Sequence, residues 1–465
     1  MKMKPIKKCG WCSRLRIRKA GICAVLSGGA LLLGAGRVAA QADKANYDES
    51  KVPHYRLPEP LVGNDGRRVT SVGEWESRRD REILPLFRSQ MYGYVPAPEV
   101  PLSTEYTVLS EEEALDGRAI RRQVRIRFVR PATGRLPADR QDVLVLIYLP
   151  KDKATGEHRG NQRGVPVFLA YNFYGNQTVN ADPGILPTIS WCRNNERFGV
   201  TDHDGSKAIR GSNAWSWPVD TLLSEGFGLV TACYNDIYPD GTGNRDRSVI
   251  RLFGDTLQRA DGWGAISAWA WGLSRIMDYL EQAPGVDASR VTVTGHSRLG
   301  KTALWAAAQD RRFAAVISTN SGCGGAALFR REFGETADLI CGPVGYWFCP
   351  NFQQYRNNEA ALPVDQHELI ALMAPRPAYV ASATEDLWAD PRGEFLSAAH
   401  AGEVYALYGY RGLDTFTMPP ADRPLAHRVG YHLRTGQHDV TAWDWAQYIP
   451  FVKREVCANE SRNRK

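Results

Sequence analysis

From residue 143 onward, short apolar runs of strand length alternate with stretches of helical periodicity. Residues 143–148 (Val-Leu-Val-Leu-Ile-Tyr) and 165–170 (Val-Pro-Val-Phe-Leu-Ala) are near-continuous apolar runs, and 228–232, 314–318 and 378–382 repeat the pattern. Between them, 219–226 and 263–280 read as helices, the second with an apolar stripe, and 442–452 reads as a final helix. Strands that are apolar along their whole length are buried on both faces. The pattern therefore predicts an α/β fold: a mostly parallel central sheet with helices on both sides, a three-layer sandwich. Ligands in such sheets bind beyond the carboxyl ends of the strands. The polar stretch 151–163 reads as a surface loop, and residues 52 to about 140 as an extension packed on the sheet. No Ser/Gly- or Pro-rich linker, repeat or low-complexity tract divides the chain, so residues 43–465 read as a single catalytic domain with an N-terminal extension.

Residues 291–305, Val-Thr-Val-Thr-Gly-His-Ser-Arg-Leu-Gly-Lys-Thr-Ala-Leu-Trp, carry the chemistry. A β-branched strand breaks at Gly295, presents Ser297, and continues into good helix-forming residues. A serine on a sharp strand-to-helix turn has its hydroxyl exposed above the sheet, and the helix N-terminus beside it favours developing negative charge. The bland alternative is a βα turn whose small residues only permit close packing.

The first 42 residues read as a signal peptide. Eight Lys and Arg residues precede a short apolar region at 20–36, and Ala40-Gln41-Ala42 offers a small-x-small cleavage site. Cleavage there makes this an exported protein, periplasmic or extracellular, with no stable membrane association afterwards. The chain has 58 basic and 51 acidic residues; nine basic and no acidic ones precede Asp43, which leaves 49 against 51. The high overall pI is thus a property of the leader, and nucleic-acid binding loses its support. Six of the nine cysteines lie beyond the leader: Cys192, Cys233, Cys323, Cys341, Cys349 and Cys457. They are too few for a disulfide scaffold and fit no zinc spacing; they read as structural, with Cys341 and Cys349 close enough to pair. No metal or cofactor is expected.

A nucleophilic serine needs a base and an acid. In α/β-hydrolases the chain order is serine, acid, histidine, with the histidine on a late loop. His438, after Gly436 and before the final helix, fits best; His427 and His432 are rivals, the latter inside an apparent strand. His203 and His158 lie in polar loops before the nucleophile strand, and His296, beside the serine, is expected to point away from it. For the acid, Asp386 lies just past the strand at 378–382, with Glu385 and Asp390 as competitors. The amide of Arg298 is the expected oxyanion donor, its guanidinium can reach over the site, and the loop 171–177 occupies the other place from which hydrolases draw a donor.

These segments resemble the bacterial glucuronoyl esterases of carbohydrate esterase family 15. The likeness rests on Thr294-Gly-His-Ser-Arg-Leu-Gly-Lys301, Trp75-Glu-Ser-Arg-Arg79, Met91-Tyr-Gly-Tyr-Val-Pro96, Tyr171-Asn-Phe-Tyr-Gly-Asn176 and Ser321-Gly-Cys-Gly-Gly-Ala326. Phe333-Gly-Glu335, Tyr346-Trp-Phe348, Asp386-Leu-Trp-Ala-Asp-Pro-Arg-Gly393 and Gly436-Gln-His438 extend it over nearly all of the chain after the leader. The resemblance implies an α/β-hydrolase cleaving esters between (4-O-methyl-)glucuronic acid side chains of glucuronoxylan and lignin alcohols; the chain is expected to act as a monomer. It further implies Ser297 as nucleophile, His438 as base and Arg298 at the oxyanion. Lys301 and Glu335 would contact sugar hydroxyls, and Trp388 would line the glucuronate pocket. Many members carry a catalytic glutamate where this chain has Asn320, so the acid here falls to Asp386. The alternatives are an acetyl-xylan type of carboxylesterase on the same triad, or a non-catalytic carbohydrate-binding protein.

Overall fold

The computed structural model describes residues 44–154, 164–254 and 259–458. The signal-peptide segment 1–42 and most of the loop 151–163, His158 included, lie outside the described residues. The ten strands are β1 (Ser103–Ala114), β2 (Ala119–Arg130), β3 (Asp139–Pro150), β4 (Val165–Asn172), β5 (Gly228–Cys233), β6 (Val286–His296), β7 (Ala315–Thr319), β8 (Ala378–Ala383), β9 (Leu425–Ala426) and β10 (Val429–Arg434). They form one sheet in the order β1-β2-β3-β5-β4-β6-β7-β8-β10-β9. β5, β4, β6, β7, β8 and β10 run parallel; β1, β2 and β3 are antiparallel on one side and β9 on the other. The chain is an α/β-hydrolase fold.

The helices that matter here are α1 (Val72–Arg78), α2 (Val219–Ser224), α3 (Ala265–Leu280), α4 (Arg298–Gln309), α5 (Ala337–Val344), α6 (Gln366–Ala371), α7 (Pro391–Leu407) and α8 (Ala442–Val452). Capping boxes at Ser71/Glu74, Asp365/Glu368 and Thr441/Asp444 begin α1, α6 and α8 by satisfying otherwise orphaned amides. Apolar side chains fill both faces of the sheet. Trp269 and Trp305, from α3 and α4, are fully buried on one, and Phe168, Trp445 and Tyr448 pack on the other.

The segment before residue 140 does not merely pack on the sheet; it supplies β1 and β2, each 12 residues long and paired into it. Its strand character is masked by arginines. In Ala-Ile-Arg-Arg-Gln-Val-Arg-Ile-Arg-Phe-Val-Arg, Val124, Ile126 and Phe128 enter the core, while Arg121 is only 4% exposed and pairs with Asp182 at 2.6 Å. A buried guanidinium keeps its place only with an anion beside it, and the anion comes from another part of the chain.

Candidate active site

Ser297 is the single residue between β6 and α4, with φ +57° and ψ −129°. A non-glycine residue held at positive φ is strained and persists only when its surroundings dictate it. Here Gly295 permits the turn, because a Cβ on it would lie 2.0 Å from the Leu299 carbonyl oxygen. The Ser297 amide donates to the Thr319 carbonyl at 2.9 Å and so ties the turn to β7. Ser297 is half-buried, and among the described residues its hydroxyl has no hydrogen-bond partner.

Asp386 and His438 are brought together by adjacent parallel strands. β8 and β10 pair up to Ala383 and Arg434, and their loops stay in step: Thr384 donates to the Arg434 carbonyl and Glu385 to the Gly436 carbonyl, both at 2.9 Å. Asp386 Oδ2 lies 2.6 Å from His438 Nδ1. Arg434 staples the histidine loop through the carbonyls of Thr435 (2.9 Å), Gln437 (2.7 Å) and Asp439 (3.1 Å). Asn320, in the left-handed conformation just past β7, donates its amide to the same Asp386 oxygen at 2.8 Å. Burial opposes ionisation of Asp386, but the His438 charge and the two hydrogen bonds outweigh it and hold the carboxyl below its ordinary range. For His438 burial again opposes charge, and Asp386 more than compensates, so the imidazole is more basic than usual; Arg298 and Lys301 oppose this weakly.

The competing residues are otherwise engaged. His432 is fully buried beneath the site, between Tyr379 and Asp444 at 3.1 and 2.9 Å. His203 stacks on Trp191 with centroids 4.6 Å apart. Asp390 caps α7 through the Gly393 amide and pairs with Arg331 at 2.8 Å, while Glu385 is exposed. His427 lies at the β9–β10 turn, its amide donating to the Val429 carbonyl. The His296 ring packs on that of His438, with centroids 4.4 Å apart, and edge-on to Phe173. Burial, then the neighbouring His438, keeps it neutral. Its packing places the His438 ring within van der Waals reach of the residue preceding Ser297.

Arg298 does not swing freely over the site. Its buried guanidinium donates to Asp240 at 2.8 Å and lies over Phe173 and Trp347, at 5.5 and 5.0 Å from the ring centroids. Asp240 is an anchor that the sequence reading missed. Fully buried, it accepts from Arg298, Arg193 (3.2 Å), Tyr234 (2.8 Å), Tyr346 (2.6 Å) and Trp347 (2.9 Å). It ends the loop after β5, so its place beyond a strand's carboxyl end was the available signal. Two arginines share this one carboxylate, which leaves a net positive charge beside Ser297.

Lys301 and Glu335 meet across the site, with Nζ 3.6 Å from the carboxylate. The ammonium also donates to the Ser321 and Cys323 carbonyls at 2.5 and 2.6 Å. The Glu335 amide donates to the Trp388 carbonyl at 2.9 Å, so the ion pair and Trp388 lie in one continuous patch. Burial raises the Glu335 carboxyl above its usual range, against the pull of Lys301. All six described cysteines carry free thiols, Cys341 and Cys349 among them. Among the described residues no set of three or more His, Cys, Asp or Glu side chains is placed to hold a metal ion, and no helix is long and apolar enough to cross a membrane.

A family model described as glucuronyl esterase, fungi, matches residues 209–409. Carbohydrate esterase MZ0003, of an unknown prokaryotic organism, is 46% identical over 421 residues, covering 90% of this chain and 94% of its own. Among solved structures, a promiscuous CE15 esterase from a marine bacterial metagenome superposes with a TM-score of 0.80 at 45% identity, over 89% of this chain and all of its own. A glucuronoyl esterase from Solibacter usitatus gives 0.78 at 41% identity, over 88% of this chain and all of its own.

Proposed function

The chain belongs to the glucuronoyl esterases of carbohydrate esterase family 15, carboxylic ester hydrolases acting on carbohydrate esters, and from that premise we propose how its residues perform the reaction. Ser297 is the nucleophile, His438 the general base and Asp386 the acid that orients and charges it. The imidazole takes the serine proton as Oγ attacks the uronoyl carbonyl, and the alkoxide that forms faces the Arg298 amide and guanidinium. The imidazolium returns the proton to the departing alcohol, leaving a glucuronoyl-serine ester. Water then repeats the sequence and frees the uronic acid. Lys301 and Glu335 hold sugar hydroxyls, and the Trp388 indole borders the pyranose.

The observation that supports this most is the 2.6 Å contact between Asp386 and His438 at the mouth of the Ser297 turn. The net positive charge around Asp240 agrees with a substrate that develops an oxyanion. In this reading the substrate is the ester between (4-O-methyl-)glucuronic acid side chains of glucuronoxylan and lignin alcohols. The protein works as an exported monomer, in which residues 43–465 form one catalytic domain and 1–42 a cleaved signal. The deciding experiment compares hydrolysis of benzyl glucuronate with that of 4-nitrophenyl acetate, by wild type and Ser297→Ala. The glucuronate ester is the better substrate and the variant is inactive; preference for the acetate, or turnover by the variant, overturns the proposal.

A further inference from the structure

Glu394 lies in the first turn of α7, fully buried, and among the described residues no lysine or arginine pairs with it. Its Oε1 accepts from the backbone amides of Ser321 (2.8 Å) and Gly322 (2.9 Å) and from the Ser321 hydroxyl (3.2 Å); its Oε2 accepts from the Ser382 hydroxyl at 2.6 Å. The segment it grips turns through the left-handed region, with Asn320 at φ +48° and Gly322 at φ +55°. That same turn carries the amide that meets Asp386 and the Ser321 carbonyl that receives Lys301.

We infer that Glu394 is a positioning residue of this active site: its carboxylate clamps the turn 320–322 so that Asn320 meets Asp386 and the Ser321 carbonyl meets Lys301. Hydrogen bonds to an ionised acceptor are about twice as strong as neutral ones, so the clamp is firmest when Glu394 is charged. A buried carboxylate without a counter-cation is otherwise a poor choice for stability, and its persistence here is explained by what it holds. Burial pushes its pKa up to about 7, against the pull of Ser382 and the Gly322 amide, and the nearby Asp386 charge pushes the same way. Tyr431 from β10 also faces it, while Lys301 is bound to the Ser321 carbonyl of the same turn and Asp390, one turn earlier on the chain, is paired with Arg331. The clamp therefore loosens as pH falls through neutrality.

The inference rests on Asp386 and Lys301 having the roles proposed above, and the test separates the two. In Glu394→Gln the amide keeps the shape and an acceptor for the turn but never carries charge. At pH ~8 its kcat/KM on benzyl glucuronate falls about 10- to 100-fold, the scale of a misplaced catalytic group, while its Tm is equal or higher because a buried charge is gone. As pH falls to ~6 the wild type protonates Glu394 and the ratio of the two rates shrinks. A ratio constant with pH, wild-type activity in the variant, or a loss explained by a lower Tm overturns the inference. Ser382→Ala provides a second arm: it removes a bond to the ionised form and moves the convergence of rates to higher pH, and no movement overturns the inference. If Asp386→Asn retains wild-type kcat/KM, the acid assignment fails, whatever Glu394 does.

Discussion

Replacing Asp386 by Asn tests the charge of the acid apart from its geometry. In this site both donors, Asn320 Nδ2 and His438 Nδ1, converge on the same oxygen of Asp386, at 2.8 and 2.6 Å. An asparagine there is forced by the Asn320 amide to present its own oxygen to both, so the imidazole keeps the tautomer that leaves Nε2 free for the serine. Where an Asp-to-Asn change reverses the tautomer, the loss in kcat is about 10⁴; here only the charge is lost. Two unit charges about 4 Å apart interact by about 4 kcal/mol at an effective dielectric near 20. His438 is 30% exposed, so solvent screening lowers this to about 2–4 kcal/mol, or about 30- to 1000-fold in kcat. The sign of the pH effect follows from the same contact. Asp386 raises the imidazole pKa, so its neutralisation moves the acid limb of kcat/KM to lower pH. The assay is initial-rate hydrolysis of benzyl glucuronate by wild type, Asp386→Asn and Asp386→Ala across pH, with Ala the most damaged because it also frees the ring. Wild-type kcat/KM in Asp386→Ala, or an acid limb that stays in place in Asp386→Asn, refutes the reasoning.

Three further outcomes follow from the same geometry. Asp240→Asn leaves the buried Arg298 and the half-buried Arg193 without their anion; it costs about 3–5 kcal/mol of stability in urea denaturation and about 10²–10³ in kcat through the displaced oxyanion donor. Glu335→Gln removes the charge facing Lys301 and lowers kcat/KM on glucuronoyl esters by about 10- to 150-fold, the worth of one charged hydrogen bond, while 4-nitrophenyl acetate turnover is spared; equal losses on both substrates would place Glu335 outside sugar recognition. Gly295→Ala sets a Cβ 2.0 Å from the Leu299 carbonyl and destabilises by at least about 3 kcal/mol, seen as a lower Tm together with lost activity.

Much of the site is legible in the chain because its signals are local. The β-branched run before Gly295 and the helix formers after Arg298 specify a strand–turn–helix whatever surrounds them, which exposes Ser297. Chain order and strand ends single out Asp386 and His438, and the parallel register of β8 and β10 explains why the two side chains meet: neighbouring parallel strands release their loops side by side. The register is not legible, and neither is the strand character of β2, whose arginines imitate a solvated segment until Asp182 and the acids of β1 are brought opposite them. The packing of the His296 ring on His438 is likewise absent from any local pattern.

By itself the sequence determined the fold class, the nucleophile turn and the pool of residues from which the site is drawn, because backbone propensity and the periodicity of burial act over a few residues at a time. Only the tertiary structure decided what those residues are to one another. Asn320 reaches Asp386 across 66 positions and Glu394 holds Ser321 across 73. Asp240 collects two arginines, two tyrosines and a tryptophan from four separate segments of the chain. The energy of a buried charge depends on the donors gathered around it, and no local pattern records which distant donors the fold will bring there.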